Sequence, residues 1–223
     1  MKLIAAFCAL AIGLAYSANA QEKKTTDKPA DLTLTAVGRH HHPIHTSSSE
    51  AQDYFDQGVT LLYGFNHEEA ARAFEKAAEL DPRSPMPLWG IAMAVGPNYN
   101  DNVDAGREKI AYDTIQQASK LAERGPRVEQ DYVTTLMLRY SNETKPDFKK
   151  LANIYAMGMR TLSRKYPEDL DAATMYAESL MDLDPWKLWT LDGKPGEHTE
   201  EILKTIVGMN DDEIQAARQQ GAI

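Results

Sequence analysis

Four histidines, His40, His41, His42 and His45, fall within six residues, the densest grouping of metal-competent side chains in the chain. A neutral imidazole is a good ligand for copper, nickel or zinc, so the tract is a candidate copper or zinc site at neutral pH. Protons compete for the same nitrogens, and such binding should weaken near pH 5. The plainer reading is a polar linker whose histidines are merely solvated. A second grouping gathers polar residues at turns: Asn66 and His67 in one, Asn98, Tyr99, Asn100, Asp101 and Asp104 in another. If successive helix pairs stack, these turns share one acidic edge able to hold a cation or a ligand, and His67 joins the metal candidates. Taken singly, Asn66 is a helix cap and the other asparagines are turn formers. A fourteen-residue first helix is about 21 Å long. The seven residues from His42 to Ser49 extend about 23 Å, so the histidines can reach the far turn and a combined site is open. The third grouping is aromatic: Trp89, Tyr99, Tyr132, Tyr140, Tyr155, Tyr176, Trp186 and Trp189. Most fall on apolar stripes or beside prolines and read as core, whereas Trp186 and Trp189 lie outside the helical pattern and are candidates to grip a peptide. No Gly-rich phosphate loop, G-x-S-x-G, H-E-x-x-H or Cys-His pairing is present, and Glu68, Glu69, Glu75 and Glu79 are spaced as a solvated face. The chain is therefore not expected to be an enzyme.

The elements that must position these residues are helical. A cap pair, Ser49 with Gln52, opens a helix carrying Tyr54, Gly58, Leu61, Leu62 and Phe65 at three- and four-residue steps, with Gly64 expected to close it in a left-handed conformation. Asn66 and Glu69 cap a second helix with Ala70, Phe74, Ala77 and Ala78 on its inner face. Alanines facing a glycine let the two backbones approach, and Phe74 fills what space remains. Ser84-Pro85 starts a third helix that Gly96-Pro97 ends, and a fourth carries Ala111, Ile115, Ala118 and Ala122 before Gly125-Pro126. Val133, Met137 and Tyr140 mark a fifth, Phe148 to Tyr166 a sixth, and residues 170 to 183 a seventh. No window alternates with a strand's period. The expectation is an all-α solenoid of antiparallel helix pairs, about three pairs plus a partial fourth.

The ends read differently. Met1-Lys2, the apolar run Leu3 to Ala15 and Ala18-Asn19-Ala20 form a signal peptide over residues 1–20, implying export, periplasmic in a cell with two membranes, and cleavage before Gln21. The apolar run is too short to span a bilayer, and no membrane span is expected after cleavage. The single cysteine, Cys8, lies in that segment, so thiol and disulfide chemistry leave with it. Cleavage would also move the formal charge from -9 to about -10, an acidity that disfavours nucleic acid and anionic membranes as partners. Residues 21–48, rich in Lys, Thr, Asp, Ser and His and broken by prolines, read as a flexible histidine-containing arm ahead of a helical domain over 49–195.

Counted from Ala51, Gly58, Ala70, Phe74, Ala77 and Pro82 fall at repeat positions eight, twenty, twenty-four, twenty-seven and thirty-two, and residues 51–82 resemble one tetratricopeptide repeat. More of the chain is similar to a family of bacterial exported tetratricopeptide-repeat proteins, through GFNHEEA at 64–70, GPNYN at 96–100, YPEDLDAATMYAESLMDL at 166–183 and PWKLW at 185–189. The resemblance covers about residues 38 to 195 and implies a helical scaffold with no defined activity. It departs at His45, where the family tends to carry serine, and family members are about twice as long. The repeat architecture points to a protein or peptide partner held in a groove, with the histidine arm as an alternative metal-binding function. Residues 196–223 resemble instead the extreme C-terminus of class III CoA-transferases, through GEHTEEIL at 196–203 and GMNDDEI at 208–214. That leaves two alternatives for the tail. It is a truncated or fused reading frame, a remnant without the catalytic part, or it is a capping helix whose Ile202, Leu203, Ile206 and Val207 cover the last repeat.

Overall fold

The computed structural model describes residues 38, 40–101, 103–186, 196 and 199–221. Over these residues the protein is all-helical, with no strand among them beyond an isolated bridge between Asn98 and Asp101. The helices are α1 (Ser49–Tyr63), α2 (His67–Leu80), α3 (Met86–Val95), α4 (Ala105–Ala122), α5 (Arg127–Met137), α6 (Phe148–Lys165), α7 (Leu170–Met181), α8 (Thr199–Thr205) and α9 (Asp211–Gln219). None is long and apolar enough to cross a membrane. The proposed signal segment and Trp189 lie outside the described residues.

Each helix from α1 to α7 packs on its neighbour in the chain, and α3 also touches α1 and α5. The reason is legible in the small residues. Ala51, Tyr54, Phe55, Gly58, Val59 and Leu62 share the buried face of α1, and Ala70, Ala73, Phe74 and Ala77 that of α2. Phe74 is fully buried between two glycines: a Cβ on Gly58 would come within 2.5 Å of its ring, and one on Gly90 within 2.4 Å. The ring therefore fills a gap that only hydrogen side chains leave open, and truncating it to alanine should cost about 3–5 kcal/mol. Helix α3 is buried on almost every side through Met86, Trp89, Gly90, Ala92 and Met93. Trp89 stacks edge-on to Tyr132 of α5 at 5.6 Å, which joins the two halves of the core.

Two local expectations are corrected. The cap of α1 is Ser48, which accepts from the Ala51 amide at 3.1 Å; Ser49 is already helical, and the Gln52 side chain turns away from the helix end. Gly64 closes α1 at an ordinary φ of -79°, and the left-handed position falls one residue later on Phe65, at φ 58°. Tail residues fold onto the body. Tyr176 Oη donates to Glu201 at 2.6 Å, Arg160 pairs with Glu201 at 3.3 Å, and Arg218 of α9 pairs with Glu200 of α8 at 2.8 Å.

Candidate functional site

The histidine segment is not a free arm where it is described. Residues 40–48 run back along α1 from its N-cap toward Tyr63 at its C-terminal end, held by side chains from four helices or their caps. Gln52 Nε2 donates to the His42 carbonyl at 2.8 Å, while its Oε1 accepts from the Ile44 amide at 2.9 Å. Asp56 accepts from the His42 amide at 3.0 Å, and Asp81, the C-cap of α2, accepts from Thr46 Oγ1 at 2.8 Å and Ser47 N at 3.2 Å. Glu129 of α5 accepts from the His45 amide. A chain with no helical period is thus fixed by hydrogen bonds to its backbone, which satisfies groups that a loop in solvent would leave to water.

The four histidines separate. His41 is exposed, its Nδ1 2.6 Å from Asp56 Oδ2. His45 is exposed beside Thr46, Asp81 and Lys120. His42 is buried, wedged against Phe55 and Tyr132 with ring centroids at 5.9 and 5.3 Å, and its Nδ1 lies 2.6 Å from Asp171 Oδ2. His40 meets Tyr63 edge-on at 5.6 Å and brings Nε2 to 3.2 Å from Asp171 Oδ1. His40 and His42 therefore converge on one carboxylate, and His41 and His45 do not. Of the four histidines expected as a ligand set, the structure brings this pair together at one carboxylate.

The convergence point is the start of α7. Asp169 is its N-cap, accepting from the amides of Asp171 and Ala172 through Oδ1, and its Oδ2 accepts from Tyr132 Oη at 2.7 Å. Asp171 Oδ1 also accepts from Tyr63 Oη at 2.6 Å. Burial opposes ionisation of Asp171, but the bonds from His42 and Tyr63 outweigh it and hold the carboxyl below its usual range. Burial and the adjoining aspartates push both tyrosine hydroxyls well up, so they remain donors. His42, Asp169 and Asp171 offer ligand atoms all within 4.8 Å of one another, the one such group of histidine and carboxylates among the described residues. Together with His40 they line a cleft of about 690 Å³ whose walls include Glu129, Tyr132, Lys165 and Pro167.

His67 is apart from this group. It stacks on Phe65 at 6.2 Å, and burial followed by the charge of Arg107 lowers its basicity. Asn66 caps α2, accepting from Glu69 N at 3.4 Å. Asn98 builds its own turn, its Oδ1 accepting from the amides of Asn100 and Asp101 at 2.9 and 3.1 Å. That turn leads to a second hollow, about 540 Å³, between the α3–α4 connection and helices α6 and α7. Phe148, Ala152, Tyr155, Leu183 and Pro185 give it apolar walls, with Asn98 on one side. Tyr99 and Trp186 adjoin those walls. Their rings are 5.2 Å apart, and the Trp186 amide donates to Tyr99 Oη at 2.9 Å. Trp186 is 72 % exposed and holds φ 65°. The other described tryptophan, Trp89, and Tyr132, Tyr140, Tyr155 and Tyr176 are core.

At the floor of that hollow Arg139, buried, pairs with Asp182 and lies over the Tyr155 ring at 4.7 Å. Asp182 Oδ1 is buried without a hydrogen-bond partner. Glu178 stands beside the pair; burial, only partly offset by Arg139, pushes its carboxyl up to about 7. Sequence reasoning singled out neither Asp169 and Asp171 nor Arg139, Glu178 and Asp182 as site residues. The aspartates carry the ordinary signature of a helix cap, and partners more than a hundred residues apart leave no local pattern.

Compared with protein-family models, curated proteins and solved structures, the chain matches none.

Proposed function

We propose that the protein is an exported helical-repeat scaffold, its helix pairs forming a tetratricopeptide-like solenoid, that binds an extended segment of a protein partner in the 540 Å³ groove beside Tyr99 and Trp186. The observation that carries the proposal is Trp186. A large ring left 72 % exposed, on a non-glycine residue with positive φ, is costly twice over, in solvent contact and in backbone strain. Such strain persists where the surroundings over-determine it, and it clusters at ligand clamps. Here the Tyr99 hydroxyl and ring hold it next to apolar walls. Phe148, Tyr155 and Leu183 suit an apolar side chain of that segment.

The role is binding rather than catalysis, and export rests on the Leu3–Ala15 run with its Ala18-Asn19-Ala20 site. Glu201 of α8 reaches Tyr176 Oη and Arg160, and on these two contacts we read the tail as joined to the last helices rather than as a remnant of a CoA-transferase. Selection of displayed peptides on the purified protein tests the groove. Peptides enriched on the natural sequence should lose at least tenfold in affinity for Trp186→Ala, roughly 1.4 kcal/mol. Enrichment of peptides indifferent to Trp186→Ala and to groove substitutions would place binding elsewhere. Mass spectrometry of the secreted chain should give Gln21 as its first residue, and an intact residue 1–20 segment would remove the export assignment.

A further inference from the structure

We infer that the cleft between residues 40–43 and the α6–α7 turn is a divalent transition-metal site, with His42, Asp169 and Asp171 as ligands and His40, near Asp171 but outside their close group, as the fourth once residues 40–43 shift toward the ion. It is separate from the groove at Trp186 and does not depend on it. Three observations on different footings support it. The first is the donor set: imidazole nitrogen with carboxylate oxygen suits zinc and its first-row neighbours, and the ligand atoms of the first three residues already lie within 4.8 Å of one another. The second is His40 Nε2, a buried nitrogen directed at Asp171 Oδ1 from 3.2 Å yet without the geometry of a hydrogen bond. Four ligands about 2.0–2.1 Å from a tetrahedral ion stand roughly 3.3 Å apart, so this separation suits two ligands of one ion better than a shared proton. The third is charge. Glu129, Glu168, Asp169 and Asp171 all line the cleft, and Lys165, the cation among the lining residues, is bonded to Asp131. The cleft thus concentrates negative potential over open space that an aqueous ion can enter.

The surroundings supply what such ligands need. Tyr63 donates to Asp171 and Tyr132 to Asp169, fixing each carboxylate's orientation from behind. The α7 amides hold Asp169 Oδ1, which leaves Oδ2, still bonded to Tyr132, as the oxygen offered to the ion. The contact between His42 Nδ1 and Asp171 Oδ2, at 2.6 Å, must widen as the ion replaces the proton they share. The segment 40–43 would then be pinned to α7 by coordination as well as by hydrogen bonds, closing the N-terminal end of the domain onto its seventh helix.

Calorimetry with Zn²⁺ and the visible absorption of Co²⁺ test the assignment on the purified full chain. One ion per chain should bind with a Kd below about 10 μM, and Co²⁺ should show the intense visible bands of a four-coordinate site. Asp169→Asn keeps a residue competent to cap α7, so its fold is protected; it should weaken binding at least tenfold and alter the Co²⁺ bands. His42→Ala and Asp171→Asn should do the same, and His41→Ala with His45→Ala should change nothing. Absence of stoichiometric binding would overturn the proposal. So would binding lost in His41→Ala or His45→Ala but intact in Asp169→Asn, which would assign the ion to the exposed histidines of the tract.

Discussion

Phe65 carries a left-handed backbone at φ 58° on a side chain that is 59 % exposed. A β-carbon there costs about 1–2 kcal/mol, and the stack on His67 returns only part of it. Phe65→Asn should raise stability by about 1 kcal/mol in chemical denaturation, because asparagine tolerates that conformation; a lower midpoint would mean the stack outweighs the strain. Gly90 makes the opposite case. With Phe74 Cδ1 2.4 Å from where its Cβ would stand, Gly90→Ala should cost about 1–3 kcal/mol, and an unchanged midpoint would show the ring free to move. The Gly58, Ala70 and Phe74 spacing disclosed this contact from one side, since all lie in one helix pair and obey one period. Gly90 was silent because its partner belongs to another helix, and a glycine in an apolar run looks the same whether or not a ring lies over it. His42 was silent for a related reason: its neighbours His40, His41 and His45 have the same chemistry, and only Phe55, Tyr132 and Asp171 around it make one of the four a buried residue.

At the scale of elements, most of α1 to α7 were legible from an apolar stripe punctuated by glycine, proline or a cap, although α3 is buried on almost every side and α5 ends at Met137, short of the Tyr140 expected in it. The segment ahead of α1 was not, since a strap held by backbone hydrogen bonds has no hydrophobic period and its composition is that of a linker. Gln52 shows how one residue misleads. Three residues beyond Ser49 it mimics a capping box, yet its amide bonds the His42 carbonyl, the Ile44 amide and Asp56. Gln52→Ala should therefore release the strap and leave the helix end intact. Hydrogen exchange should accelerate at the His42 and Ile44 amides by tenfold or more, with the Ala51 amide, held by Ser48, unaffected. Faster exchange at Ala51 with the strap unchanged would restore the capping role.

At the scale of the molecule, the floor of the groove stores electrostatic cost. Burial pushes Glu178 from its ordinary value of about 4.5 up to about 7, against the partial relief given by Arg139. An acid whose folded-state value is raised is best tolerated while protonated. Its contribution is therefore fully present below about pH 4.5 and is lost as pH rises toward about 7. Relative to Glu178→Gln, the natural protein should lose melting temperature across that window, and parallel profiles of the two would mean the carboxyl titrates normally. A protein under no demand but stability has little reason to keep Arg139, Asp182 and Glu178 together beneath a hollow, with Asp182 Oδ1 unsatisfied.

A peptide lying in the groove should be excluded by Ala152→Trp. Ala152 is half-buried on α6 and faces the hollow, so an indole there fills the space without displacing a core side chain. The dissociation constant of a peptide selected on the natural protein should rise at least tenfold in Ala152→Trp while the melting temperature stays within about 2 °C, less than 1 kcal/mol of stability for a domain of this size. Equal affinity for the two proteins, with the indole in place and the fold intact, would contradict the account.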